Sequence, residues 1–209
     1  MLTDVDIDLG VANVFVRLRN VLQRAGRAPF PTTRLHDLTC FVVHRLLRLS
    51  PAPGGTSRIS ECLRYAMVLF MLITHGPTYY SHGELQASVV DRLREQLGLL
   101  EPEQGVHDGR LHFWILAVAM VSSAETAAYP QFLDWGCEAA VTLELKSGSD
   151  AMEAVKRILW LPSMPHEAIF QSHWDAVLGE AQGQAIVRAS CSATNDLSIV
   201  CRDQHREWV

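Results

Sequence analysis

Closely spaced cysteines are missing from this 209-residue chain. Its five cysteines, Cys40, Cys62, Cys137, Cys191 and Cys201, are odd in number and far apart, and CxxC occurs nowhere. The spacing excludes zinc-ribbon and thioredoxin-type pairs and argues against a disulfide framework, so the chain reads as intracellular. Cys40, Cys62 and Cys137 fall in apolar stretches, where a thiol is expected to serve as a small core residue. The first eight residues, MLTDVDID, are acidic and have neither the basic start nor the apolar core expected of a signal peptide. No apolar run approaches the roughly 20 residues of a spanning helix. The longest, 65–73 and 113–121, are therefore expected to be buried core helices. Lysine is nearly absent: of 18 basic residues only Lys146 and Lys156 are not arginine, and the formal net charge of -5 gives no global attraction to nucleic acid. Period-two alternation is absent as well, which leaves no candidate sheet, and no internal repeat occurs.

What remains is helical period in eight segments. Val11, Val14, Phe15, Leu18, Leu22 and Ala25 share one face of the first, 9–25, which Pro29 and Pro31 end. The second starts at Thr32 or Thr33 as N-cap and turns Leu35, Leu38, Val42, Leu46 and Leu49 inward. Residues 50–57, SPAPGGTS, form the clearest linker. The third helix, 59–74, is apolar all round and therefore central. Ser81 and Glu84 have capping-box spacing before a fourth helix with the seam Leu85, Val89, Leu93, Leu97 and Leu100. The fifth, 111–124, is a second central helix. The sixth starts at Tyr129-Pro130, the seventh covers 151–161, and the eighth covers 166–178. The expected fold is all-α: an irregular multi-helix bundle around two buried central helices, with residues 1–180 as the domain and 181–209 as an irregular, weakly ordered tail.

A search for chemistry finds little. His166 and His173 lie two helical turns apart, about 10 Å, too far to share one zinc ion. His75 and His82 flank a Gly-Pro turn, and His107 and His112 a helix start; surface or capping roles are the preferred reading of both pairs. There is no G-x-S-x-G elbow, and Gly54-Gly55-Thr56-Ser57 lacks the lysine and strand of a phosphate loop. Glu61 and Arg64, at i and i+3, read as a helix ion pair, and Glu125 ends a buried helix. Trp114, Trp160 and Trp174 lie among apolar neighbours and read as core or groove-lining rings. The arginines, among them Arg17, Arg19, Arg24, Arg27, Arg45, Arg48, Arg92 and Arg94, read as cations on solvated faces and near helix C-termini, with a phosphate-binding stripe as the alternative. No catalytic, cofactor-binding, DNA-binding or metal-ligating set emerges.

Residues 61–71, ECLRYAMVLFM, and 111–120, LHFWILAVAM, resemble the apolar central helices of fungal-specific transcription factor domains. The stretch from Phe132 through Trp135, then VKRILWL at 155–161 and HWDAVL at 173–178, are similar to that family's later helices, in the same order. Ala117 and Ala119 match its small residues, while Met120 stands where glycine is common. The likeness covers roughly residues 55–178. It implies a regulatory domain in the nucleus that binds a partner protein or a small apolar effector, needs no cofactor, and pairs as a homodimer in many members. The six-cysteine zinc cluster that usually precedes such domains is not in this sequence, so direct nucleic-acid contact is not expected of the chain. The alternative is a stand-alone enzyme or small-molecule-binding protein on the same scaffold, with Met67, Met71, Trp114 and Met120 around a ligand and His75 or His112 as its polar group.

Overall fold

The computed structural model describes residues 6–26, 30–49, 57–76, 82–100, 109–162 and 166–180. They form eight helices and no strand: α1 (Leu9–Ala25), α2 (Thr32–Leu47), α3 (Arg58–His75), α4 (Gly83–Gly98), α5 (Gly109–Ser123), α6 (Tyr129–Thr142), α7 (Gly148–Ile158) and α8 (167–180).

The two apolar runs become the interior. In α3, Cys62, Leu63 and every residue from Ala66 to Met71 are sealed from solvent; in α5 the same holds from Phe113 to Met120. A helix apolar on every side can be satisfied only by neighbours on every side. Here α2 and α4 pack on α3, α6 and α7 on α5, and the two rods on each other. Each fully buried Leu, Phe or Met contributes about 1.5–3 kcal/mol by leaving water. The Leu85–Leu100 seam is spent inside this assembly, with Val89, Val90, Leu93 and Leu97 buried and α4 packed along α3.

Trp174 of α8 stacks on Phe113 at 4.1 Å between ring centroids. Trp114 donates Nε1–H to the Leu159 carbonyl at 3.0 Å. The crossing of α5 with α6 rests on a glycine, but on the opposite helix from the one the family pattern suggests. A Cβ on Gly136 would stand 3.1 Å from Met120 Sδ and 3.4 Å from a methyl of Val177. The small residue sits on α6, and Met120 fills the space it leaves. Gly76 ends α3 with φ of +72°, a left-handed geometry open to glycine, and its N–H closes on the carbonyls of Leu72 and Ile73.

The structure corrects three expectations. Cys40 is exposed, not core. The seventh helix starts at Gly148 and stops at Ile158 rather than covering 151–161. Ser147 caps it by accepting the Asp150 N–H at 3.2 Å. Leu159 is extended, and Leu159, Trp160 and Leu161 are buried in succession beyond the helix end. Finally, α2 begins at Thr32 itself, preceded by Pro31, with no side-chain cap. Ser81, the linker 50–56 and the tail 181–209 lie outside the described residues.

Candidate functional site

A groove of about 520 Å³ lies between α1 and α2. Its construction follows from helical spacing. On α1, Val14, Leu18 and Val21 recur at i, i+4 and i+7, and beside them Asn13, Arg17, Asn20 and Arg24 run in a parallel stripe. On α2, Leu38, Val42 and Arg45 recur in the same rhythm, with Phe41 next to them. The two helices meet over only a few residues, because α2 packs chiefly on α3. The side they do not close is the groove.

Its floor is apolar and its rim is cationic. Phe41 is 68% exposed, a large aromatic surface left in water. Arg17, Arg24 and Arg45 line the groove, no acidic residue does, and none of the three forms an ion pair among the described residues. Three unneutralised guanidiniums around a low-dielectric floor concentrate anions there, whatever the net charge of the chain. The arrangement can hold an elongated ligand with an apolar face and carboxylates or phosphates along its edges.

A second cluster is built from histidines. The C-terminus of α3 places His75 against His36 of α2, Nε2 to Nδ1 at 3.0 Å. Cys40, one turn along α2, lies 3.6 Å from the other nitrogen of His36. The His82 ring stands edge-on to His75 at 6.5 Å between centroids. The His166 ring lies beside Gly76, its Cε1 3.6 Å from where a Cβ would be. Sequence spacing paired His75 with His82; adding His36 and His166 needed the tertiary fold.

Other candidates separate. His166 and His173 do not meet: His173 instead faces Tyr129, whose Oη is 2.8 Å from its Nδ1. Desolvation holds the His173 and His112 imidazoles below their ordinary range and pushes the Tyr129 phenol up, Glu180 adding to the latter. His107 lies outside the described residues. Glu61 pairs with Arg64 as expected, and Arg64 also donates to the Leu49 carbonyl and Tyr65 Oη. Glu125 is exposed. Trp114 and Trp174 are fully buried and Trp160 nearly so. Met67, Met71, Trp114 and Met120 are all sealed in the core, which places the alternative ligand-site residues in packed interior. Burial pushes the Cys62 thiol up to about 12, with Glu61 adding to the shift, so it stays protonated.

Among the described residues no three His, Cys, Asp or Glu side chains are placed to hold one metal ion together, and no helix is long and apolar enough to cross a membrane. The chain matches no family model, no curated protein and no solved structure.

Proposed function

We propose that this helical body is the docking module of a transcription-regulating protein, of the type its sequence resembles, acting in the nucleus. Its partner is an acidic amphipathic helix that lies in the α1–α2 groove. The observation that carries this reading is the union in one groove of an exposed Phe41, an apolar floor and three arginines that form no ion pair among the described residues. Helix-in-groove recognition uses apolar anchors at i, i+3 or i+4, and i+7, which matches the rhythm of the floor. Arginine and aromatic residues also dominate the energetics of protein interfaces. The regulatory context comes from the resemblance of residues 55–178; the groove supplies the partner's chemistry.

The test uses a fluorescent synthetic helix with leucine and phenylalanine on one face and glutamate on the other, titrated with the full chain. Binding is expected to weaken as salt is raised, since the rim charges are solvent-exposed. Phe41→Ala is expected to remove about 2 kcal/mol or more, roughly a 30-fold loss. The same peptide with lysine in place of glutamate should not bind. Equal binding of both peptides, or no effect of Phe41→Ala, would contradict the proposal. For the regulatory half, the chain fused to an unrelated DNA-binding domain should change reporter transcription in a fungal cell. Arg17→Glu/Arg45→Glu should abolish that change at equal protein level.

A further inference from the structure

We infer that His36 and His75 form a binding site for a divalent late first-row transition-metal ion, nickel or copper in class, that clamps α2 to α3. The inference is independent of the groove and of any regulatory role. His36 Nδ1 and His75 Nε2 are 3.0 Å apart and belong to different helices. Two imidazole nitrogens bound to one ion at about 2.0–2.1 Å stand close to 2.9 Å apart when cis at a right angle, and about 3.3 Å apart in a tetrahedron. The 3.0 Å separation, which is also that of an ordinary hydrogen bond between the rings, fits the right-angled arrangement that tetragonal copper(II) and nickel(II) prefer.

The surroundings suit a cation. His75 Nδ1 is buried and has no hydrogen-bond partner among the described residues. When the neutral ring carries its proton on Nδ1, Nε2, the nitrogen 3.0 Å from His36, is the one left to act as a ligand. A hydrogen bond between the two rings uses one lone pair; a metal ion uses both. His75 is the last residue of α3, where the helix carbonyls give a partial negative charge that favours a cation. The Cys40 sulfur lies against the far nitrogen of His36, in the position from which ligating imidazoles are usually oriented. Among the described residues no third side chain is in place, so the site takes water at the remaining positions of a bound ion. Imidazole with water suits nickel and copper, whereas a closed structural zinc site needs four protein ligands.

The experiment follows thermal unfolding of the full chain by circular dichroism with increasing NiCl2, alongside calorimetric titration of the folded protein. An ion bound by the folded state alone raises the melting temperature with its concentration. The expected result is one nickel ion per chain, a concentration-dependent rise in melting temperature, and reversal by EDTA. His36 is exposed, so His36→Gln is expected to keep the metal-free helicity while weakening nickel binding by at least about tenfold, the smallest loss seen when even a ligand's supporting hydrogen bond is removed. His44→Gln, an exposed histidine two turns further along α2, should bind nickel as the parent does. A His36→Gln chain that binds nickel and gains stability like the parent would overturn the inference. So would a parent melting temperature that nickel leaves unchanged.

Discussion

At Trp114 one side chain fills the core and also closes a hydrogen bond. The ring is fully buried, its N–H reaches the Leu159 carbonyl, and Phe70 lies 5.6 Å away between centroids. Trp114→Ala is expected to destabilise the protein by about 3–5 kcal/mol, measured by urea unfolding, because a large cavity forms and a buried carbonyl loses its partner. Gly136 argues the opposite case, where added atoms harm. Gly136→Leu should lose about 1–3 kcal/mol through overpacking against Met120 and Val177. Gly136→Ala should be close to neutral in the same assay, because better helix propensity offsets a tight but yielding sulfur contact. A third check uses the thiols. In a Cys191→Ser/Cys201→Ser background, Cys40 alone should react with a thiol reagent before unfolding, since Cys62 and Cys137 are buried. The tryptophans and the Glu61–Arg64 pair were legible from neighbours and spacing. The exposure of Cys40 was not: an apolar stretch of amphipathic helix has a wet side, and which residue falls there depends on where α3 docks.

Among the elements, period alone placed α1, the two rods and the order of all eight helices. It failed at α7, where VKRILWL continues the apolar pattern past the real end of the helix. The buried run Leu159, Trp160 and Leu161 reads as more helix in the sequence, and only the extended backbone at Leu159, whose carbonyl accepts from Trp114, shows that the helix has ended. The start of that helix rests on the Ser147 cap, so Ser147→Ala is expected to lower stability by about 1 kcal/mol in urea unfolding. The groove shows a similar limit. Its arginines were visible as scattered cations on α1 and α2, and their helical stripes can be counted in the sequence. That Arg17, Arg24 and Arg45 surround one apolar floor depends on how α2 leans on α3 and away from α1.

For the whole molecule, acid sensitivity follows from His112 and His173. Desolvation lowers both below their ordinary value of 6.5, so the folded state prefers them neutral while the unfolded chain binds protons more readily. Their contribution is complete above about pH 6.5, the ordinary histidine value, and is lost as pH falls from there through the lowered folded-state values. Melting temperature should fall across that range, and His173→Phe should flatten part of the fall. The interior of the molecule is the pair of rods α3 and α5, on which α2, α4, α6 and α7 pack. Native-state hydrogen exchange read amide by amide checks this arrangement. The slowest amides are expected within 62–72 and 113–120, exchanging only by global unfolding, while α1 and the outer face of α2 open earlier. Amides of α3 or α5 exchanging as fast as those of α1 would contradict it.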